Sequence, residues 1–320
     1  MFSLTMVRRR IYATDVVAIM IHEELQPLAE LLRRGGALVL SGAGMSTASG
    51  IPDYRGPTSR QRASRPIQFR EFRDQPEART RYWARSAVGW PWIDARQPNA
   101  AHQAIAALEQ RGLIDGVITQ NVDGLHQRAG SRRVLELHGS LAEVLCLDCG
   151  REDRRRDFQE RLLEMNPRWH EYSGEIAPDG DAELPPEVTT SFTVPTCRYC
   201  GGTLKPNVVF FGESVPKERV ARAWGMLEAA RSLVVVGSSL TVYSGFRFVD
   251  RAFRDEKPVA IVNNGETRGD PLATIRISGD LEELLPGVLD LLDGRQDSGA
   301  DQVADRPEDR DRAGAKQSGP

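Results

Sequence analysis

The chain has 320 residues, of which 40% are hydrophobic and 27% charged, the composition of an ordinary soluble globular protein. Its formal net charge of −3 provides no overall positive field that would attract nucleic acid or anionic lipid. It contains no apolar run of about 18 residues, the length that a membrane-spanning helix needs. We therefore expect neither a nucleic-acid partner nor a membrane partner.

The first predicted elements are a helix and a buried strand. Residues 1–20 contain arginines but no apolar signal core and no cleavage site, so we expect a disordered N-terminal extension. Apolar residues at helical spacing over 18–34 predict a helix, interrupted at Pro27 and ended by the glycines that follow. The short apolar run at 37–40 then predicts a buried strand that leads into a glycine-rich turn.

Strands and helices alternate along the rest of the chain. Short apolar runs predict further strands at 116–119, 233–236 and 259–262, and helical stretches lie at 100–110 and 217–230. Such alternation is typical of an α/β fold, here a Rossmann-like doubly wound parallel sheet with helices on both faces.

Two segments break this alternation and are expected to form a smaller helical, zinc-binding domain. They lie at 56–99 and 141–204. The Rossmann-like domain is expected to comprise the ranges 21–55, 100–140 and 205–292. The tail at 293–320 is charged and nearly free of large apolar residues, so we expect it to be disordered.

A glycine turn follows the first predicted strand. Gly42-Ala43-Gly44 allows a tight turn and close backbone approach to a diphosphate, although Thr47 stands where the usual dinucleotide fingerprint has a third glycine. A plain turn is the alternative interpretation. The following Asp53-Tyr54-Arg55, between glycine and proline residues, suits a loop that closes over a ligand, or a solvated loop.

A cluster of amides and a carboxylate follows the strand at 116–119. Gln120, Asn121 and Asp123 lie where a doubly wound sheet binds its ligands, but they also suit a turn that caps the next helix. Downstream, His138 stands between an alternating apolar stretch and a glycine. A histidine titrates near neutral pH and can act as a base, whereas a lone histidine is more often structural.

All four cysteines fall in two C-x-x-C pairs, Cys146 with Cys149 and Cys197 with Cys200. Four thiolates in two knuckles suit one tetrahedral zinc ion without an open position, which predicts a structural site. Free thiols and a redox C-x-x-C are the alternatives, and the second is disfavoured because neither pair begins a helix of a thioredoxin-like unit. The absence of a secretion signal favours a cytoplasmic location.

The chain resembles the sirtuin family over roughly residues 25 to 290. The shared motifs occur in the family's order and are GAGMS (42–46), GIPDYRG (50–56), TQNVDGLH (119–126), LHGS (137–140), the two cysteine pairs, KPNVVFFGE (205–213), VVGSSL (235–240) and IVNNGET (261–267). RYWAR (81–85) and VYSGFRF (242–248) give a finer resemblance to the class II subgroup, which contains the animal mitochondrial lipoamidase and ADP-ribosyltransferase.

The resemblance implies which residues bind NAD, the substrate and the metal. The NAD contacts it implies are Gly42, Ala43, Gly44, Ser46, Asp53, Tyr54, Arg55, Gln120, Asn121, Val122, Asp123, Gly237, Ser238, Ser239, Asn263, Asn264, Gly265 and Leu281. The acyl-lysine channel and the strand that pairs with the substrate would be formed by Val208, Val209, Phe210, Phe211, Gly212 and Glu213.

The resemblance also implies the reaction, NAD-dependent deacylation of lysine side chains in acylated protein substrates. His138 would be the general base and Asn121 a second catalytic residue. NAD would be a co-substrate, the products would be free lysine, nicotinamide and O-acyl-ADP-ribose, and one zinc ion would be structural.

Four other functions share some of these features. Mono-ADP-ribosyl transfer and lipoamidase-type deacylation would use the same NAD site. A non-catalytic NAD or ADP-ribose binding module is disfavoured by His138, Asn121 and Asp123, and a zinc-ribbon nucleic-acid binder is disfavoured by the net charge of −3. In class III sirtuins a Tyr-x-x-Arg pair at a comparable place reads acidic acyl groups. Tyr82 and Arg85 have this spacing and would share a helix face, but they lie in RYWAR, a class II feature, and the alternative is that Arg85 is a solvated or ion-paired helix residue. The acyl group stays open among acetyl, longer lipoyl- or biotinyl-like groups and acidic groups.

Overall fold

The structure is a computed structural model that describes residues 13–53, 66–177 and 180–294. Its α-helices are α1 Ala13–Arg33, α2 Phe69–Asp74, α3 Pro76–Asp94, α4 Ala100–Gln110, α5 Leu125–Arg128, α6 Arg155–Met165, α7 Pro186–Thr189, α8 Lys217–Ala229, α9 Tyr243–Arg254 and α10 Leu281–Leu292. Its strands are β1 Ala37–Ser41, β2 Ile114–Thr119, β3 Val134–Glu136, β4 Gly139–Cys146, β5 Glu152–Arg154, β6 Leu204–Val208, β7 Ser232–Val236, β8 Val259–Val262 and β9 Ile275–Ile277.

The larger sheet confirms the predicted fold class. Its strand order is β3-β2-β1-β7-β8-β9, and every neighbouring pair is parallel. Counted within this sheet alone, the order is 3-2-1-4-5-6, which is that of a doubly wound dinucleotide-binding fold. The order reverses between β1 and β7, so the crevice at their carboxyl ends is the expected ligand site.

Both faces of this sheet are covered by helices. On one face α1, α4 and α10 bury residues such as Leu28, Ile105 and Leu285 against β1 and β2. On the other face α8 and α9 bury Leu227 and Phe248. Because helices bury both faces of the sheet, the central strands are apolar on both sides, and short apolar runs therefore predicted them.

The first helix differs from its prediction in two ways. It begins at Ala13, within the stretch expected to be an extension, and it continues through Pro27 instead of being interrupted there. A proline removes one helical hydrogen bond, but Leu25, Leu28 and Leu32 recur at helical spacing and are fully buried against the sheet and α10. This burial offsets the lost bond and keeps the helix continuous.

A smaller antiparallel sheet, with strand order β5-β4-β6, was not predicted from the sequence. It packs with α3 and α6 around a second apolar core that contains Trp83, Phe158 and Leu204. The indole N–H of Trp83 donates to the Leu204 carbonyl oxygen at 3.1 Å, so the polar atom of this fully buried ring is hydrogen-bonded. β4 begins directly after His138, which places the candidate base at the junction of the two sheets.

Several predictions about the ends of the chain lie outside the described residues. These include the disorder expected for the first residues and for most of the tail. Asp293, the first residue of the predicted tail, follows α10 and pairs with Arg111 at 2.6 Å. Among the described residues, every helix is too short or too polar to cross a membrane.

Candidate active site

The glycine turn lies at the point where the strand order reverses. The Gly42 N–H donates to the Val236 carbonyl oxygen at 3.1 Å, and the Gly44 N–H donates to the Gly237 carbonyl oxygen at 2.9 Å. A Cβ atom at Gly42 would stand 2.7 Å from the Ser238 Cβ, so a side chain does not fit there. The turns after β1 and β7 thus touch backbone to backbone at the expected crevice.

A hydrogen-bonded set of polar side chains closes one side of this crevice. The Asn121 amide donates to the Gly42 carbonyl oxygen and to Ser46 Oγ, both at 3.0 Å. Ser46 Oγ donates to Asp123 Oδ2 at 2.7 Å, and the Leu125 N–H donates to Asp123 Oδ1 at 2.9 Å. Burial raises the pKa of Asp123, whereas these donors oppose the shift. The set therefore fixes the positions of an amide and a carboxylate at the end of β2.

Gln120 connects the two turns to His138. Its side-chain amide donates to Ser238 Oγ at 2.8 Å, and its backbone carbonyl accepts from His138 Nδ1 at 2.9 Å. Because a carbonyl oxygen only accepts, Nδ1 carries the hydrogen and Nε2 carries the ring's free lone pair. Nε2 lies 2.8 Å from Ser244 Oγ. Burial, the largest cause, lowers the pKa of His138, so the ring is neutral and Nε2 can accept a proton at neutral pH.

The backbone at His138 is held against the predicted substrate segment. Gly139 has φ +86°, and a Cβ atom there would lie 1.9 Å from the Asn207 carbonyl oxygen. The Val209 N–H donates to the His138 carbonyl oxygen at 2.7 Å. Only glycine allows this close approach, and it joins the candidate base directly to the start of the 208–213 segment.

The 208–213 segment is organised by a buried lysine that was not among the predicted site residues. The Lys205 ammonium donates to the Val208 carbonyl oxygen at 2.5 Å and to Glu213 Oε2 at 3.1 Å, and it lies 4.6 Å from the centre of the Phe210 ring. Glu213 Oε2 also accepts from the Phe210 N–H at 2.9 Å. Phe210 is buried, whereas Phe211 is 40% exposed. The position of Lys205 at the start of the apolar motif KPNVVFFGE (205–213) could have indicated this role from the sequence.

The residues after β8 lie beside the crevice. The Gly237 N–H donates to the Val262 carbonyl oxygen, which places the next residue, Asn263, at the same sheet edge. Asn263 Nδ2 donates to the Gly265 carbonyl oxygen at 3.0 Å, and Asn264 is exposed. Leu281 is buried with Cδ1 2.9 Å from where a Gly237 Cβ would stand.

The other predicted contacts differ in how far they are exposed. Ala43 and Ser239 are partly exposed at the crevice, whereas Val122 is partly buried and packs against the smaller core. Asp53 is partly exposed and Gly212 is exposed. The predicted contacts at 54 and 55 lie outside the described residues.

Two buried histidines are hydrogen-bonded to residues on either side of the glycine turn, one directly and one through Asn99. His126 Nε2 lies 2.8 Å from Ser41 Oγ, and the ring centres of His126 and His102 are 5.0 Å apart. His102 Nδ1 donates to Asn99 Oδ1 at 2.9 Å, and the Asn99 amide donates to the Met45 carbonyl oxygen at 2.9 Å. Burial lowers the pKa of His102 to about 4 and that of His126 to about 3, so both rings are neutral. No pattern in the sequence indicated that these two histidines lie together.

The four cysteines form one compact cluster, as predicted. All four Sγ atoms lie within 4.8 Å of one another, with Cys146 to Cys200 at 3.6 Å and Cys149 to Cys197 at 3.8 Å. Four sulfur atoms placed tetrahedrally about 2.3 Å from a zinc ion are about 3.8 Å apart. The spacing fits a structural zinc, and disulfides, whose sulfurs lie about 2 Å apart, do not fit.

The side chains of Tyr82 and Arg85 are both occupied by contacts around the second apolar core. Tyr82 is buried, and its ring contacts Phe72 and Phe210 at centre distances of 5.4 and 5.3 Å. Arg85 Nε donates to the Ala182 carbonyl oxygen at 2.8 Å, and its guanidinium pairs with Glu183 at 3.2 Å. This matches the ion-paired interpretation of Arg85.

Comparison with known proteins agrees with this geometry. The sequence model described as "Sir2 family" matches residues 42–244. "NAD-dependent protein deacetylase 1" of Streptomyces coelicolor is 52% identical over 269 residues, covering 84% of this chain and 90% of the relative. "NAD-dependent protein deacetylase" of Xanthomonas axonopodis pv. citri is 50% identical over 264 residues, covering 82% and 89%.

Solved structures with the same fold include complexes with substrates. The structure described as "Sir2-p53 peptide-NAD+" has a TM-score of 0.68 at 34% identity and covers 85% of this chain and 99% of its own. "Sir2 bound to acetylated peptide" has a TM-score of 0.66 at 32% identity, covering 83% and 98%. With the family's motifs gathered around one crevice and relatives at half identity over most of its length, this chain belongs to the Sir2 family.

Proposed function

We propose that the chain is an NAD-dependent protein-lysine deacylase of the deacetylase type. The observation that carries this proposal is the state of His138, whose Nδ1 is anchored to the Gln120 carbonyl and whose Nε2 is an acceptor. It lies between the glycine turn and the segment that begins at Val208. A base placed between a nucleotide crevice and a peptide-binding segment is what the reaction requires.

The crevice fits NAD chemically. Glycines in the turns after β1 and β7 suit the close approach of a diphosphate to the backbone, and the amide and carboxylate of Asn121 and Asp123 suit a carboxamide and ribose hydroxyls. Close glycine packing at Gly42 and Gly237 is compatible with a backbone that approaches the ligand. The proposed contacts are those inferred from the sequence, together with the residues after β8.

Bound NAD supplies a ribose carbon whose leaving group is nicotinamide, and the acyl group ends on the ADP-ribose. The role of His138 is to take a proton from a ribose hydroxyl at Nε2. Burial lowers the pKa of His138, which favours an unprotonated Nε2 at neutral pH. Asn121 is proposed to orient the same region, since its amide is fixed by two hydrogen bonds.

The acylated lysine is proposed to enter beside the 208–213 segment, with the substrate backbone added as a strand. Support comes from the Val209 bond to His138 and from the clamp that Lys205 and Glu213 form on this segment. The occupied guanidinium of Arg85 favours a neutral acyl group over an acidic one. The relatives named as deacetylases favour acetyl.

The class II assignment, the proposed residue ranges of the two domains and a cytoplasmic location stay proposals of the same account. A cytoplasmic location is supported by four cysteines gathered as a metal-type thiolate set rather than as disulfides.

The proposal is tested with a panel of acetyl-, lipoyl- and succinyl-lysine peptides, incubated with and without NAD and followed by mass spectrometry. The expected result is NAD-dependent loss of the acetyl group, with one nicotinamide and one O-acetyl-ADP-ribose formed per lysine released. Preferential turnover of the lipoyl peptide would support a lipoamidase. ADP-ribose attached to protein, with no peptide deacylated, would establish ADP-ribosyl transfer instead.

A further inference from the structure

The hydroxyl of Ser244 contacts the reacting nitrogen of the candidate base. Ser244 Oγ lies 2.8 Å from His138 Nε2, and Nδ1 of the same ring donates to the Gln120 carbonyl oxygen. A neutral imidazole has one acceptor nitrogen, so the Ser244 hydroxyl must be the donor in this pair. Ser244 therefore touches the one atom of His138 that can take up a proton.

Ser244 is held firmly relative to His138. It is the second residue of α9, and the Arg247 Nε donates to its backbone carbonyl oxygen at 3.2 Å. The next residue, Gly245, packs so closely on Gln120 that a Cβ atom there would lie 2.5 Å from Gln120 Oε1. Gln120 thus fixes His138 through its backbone and α9 through its side chain, which keeps the Ser244 hydroxyl aligned with Nε2.

The surroundings of His138 disfavour its protonated form. Burial is the main cause of its lowered pKa, and the charges of Arg219 on α8 and Arg247 on α9 act in the same direction. The N-terminal end of α9 adds a partial positive charge, and the Gln120 carbonyl alone among these groups favours the protonated ring. A protonated His138 therefore gains from any further acceptor at Nε2.

We propose that Ser244 is a positioning residue for the base, holding His138 Nε2 in place both before and after proton transfer. Before transfer the hydroxyl donates to Nε2. When the ribose hydroxyl reaches Nε2, the Ser244 hydroxyl first turns its hydrogen away and frees the single lone pair of the ring. The proton then moves from the ribose hydroxyl to Nε2, the electron pair of the broken O–H bond stays on the ribose oxygen, and Ser244 Oγ accepts from the new Nε2–H. This inference rests on the proposed function, because it requires that His138 takes a proton from a bound substrate.

The test compares Ser244→Ala and Ser244→Thr with the wild-type full chain, using an acetyl-lysine peptide and NAD. Loss of one hydrogen bond to an ionised group predicts a kcat about 10-fold lower in Ser244→Ala, with both KM values within about 2-fold. The acid limb of the kcat/KM profile moves to lower pH, since the bond that the protonated ring donates to Ser244 is stronger than the bond that the neutral ring accepts from it. Ser244→Thr restores both quantities, because it keeps the hydroxyl.

Ser191→Ala, an exposed serine of the smaller domain, is the matched control and keeps wild-type rates. Equal kcat in Ser244→Ala and wild type, an unmoved acid limb, or a Ser244→Thr variant as slow as Ser244→Ala would overturn the role of Ser244. Each of these leaves the proposed function standing, since wild type still turns over. A wild type that turns over no acyl peptide overturns both.

Discussion

The buried pair His102 and His126 predicts an acid-dependent loss of stability. In the unfolded chain both side chains take up a proton as the pH falls through about 6.5. In the folded protein burial lowers the pKa of His102 to about 4 and that of His126 to about 3, so both stay neutral until well below that pH. The unfolded state therefore binds more protons, and folding stability that is present above pH ~6.5 is lost as the pH falls.

The magnitude follows from the two pKa values. A pH of 5 is about 1.5 units below the pKa that each histidine has in the unfolded chain, whereas both rings remain neutral in the folded protein. Each histidine therefore lowers the free energy of unfolding at pH 5 by about 2 kcal/mol. The pair is expected to contribute about 4 kcal/mol to the difference in unfolding free energy between pH 5 and pH 7.5.

Urea unfolding of wild type and of the single and double glutamine variants at both pH values checks this. Each of His102→Gln and His126→Gln should reduce the pH difference by about 2 kcal/mol, and the double variant by about 4 kcal/mol. His170→Gln, at an exposed histidine, is the control and keeps the wild-type difference. Because each variant is compared with itself, a general loss of stability does not enter. An unchanged pH difference in the double variant would refute the reasoning.

Three further predictions concern the metal, the backbone at the base and the substrate segment. Removal of zinc by a chelator should unfold the smaller domain, seen as increased amide exchange around β4 and β6; full retention of protection after complete metal loss contradicts a structural zinc. Gly139→Ala should lower the free energy of unfolding by more than about 3 kcal/mol, because its Cβ would overlap the Asn207 carbonyl oxygen and the residue has a positive φ. Gly225→Ala, in an open position of α8, should raise the free energy of unfolding by about 1 kcal/mol, and thermal unfolding measures both changes. Lys205→Met leaves the Glu213 carboxylate without its cation, so the free energy of unfolding should fall by about 3 kcal/mol. The same variant should raise KM for the peptide more than KM for NAD. An equal rise in both KM values would show that the lysine does not act through the substrate segment.

The sequence predicted the larger sheet because its central strands are buried on both faces. β1 and β8 read as continuous apolar runs, and their bounds agree with the prediction within one residue. β3 and β9 have only three residues each, too few for a pattern. β5 is Glu-Asp-Arg and carries no apolar signal, so the antiparallel sheet became visible only in three dimensions.

Some residues of the site could also be predicted from the sequence, and others could not. Residues that follow a strand, such as Asn121 and Asp123, could be placed at one sheet edge because parallel strands bring their carboxyl ends together. Ser244 could not, since it lies 106 residues from His138 along the chain and their contact depends on how α9 packs against Gln120. Arg85 could not be assigned either, because its partners lie 97 and 98 residues away.

The central claim is that His138 is the base of an NAD-dependent lysine deacylation. The most direct test is the rate of O-acetyl-ADP-ribose formation from an acetyl-lysine peptide and NAD in wild type, His138→Ala and His170→Ala. We expect a rate at least about 100-fold lower in His138→Ala, with unchanged zinc content, and a wild-type rate in His170→Ala. A His138→Ala variant that forms product at the wild-type rate would contradict it.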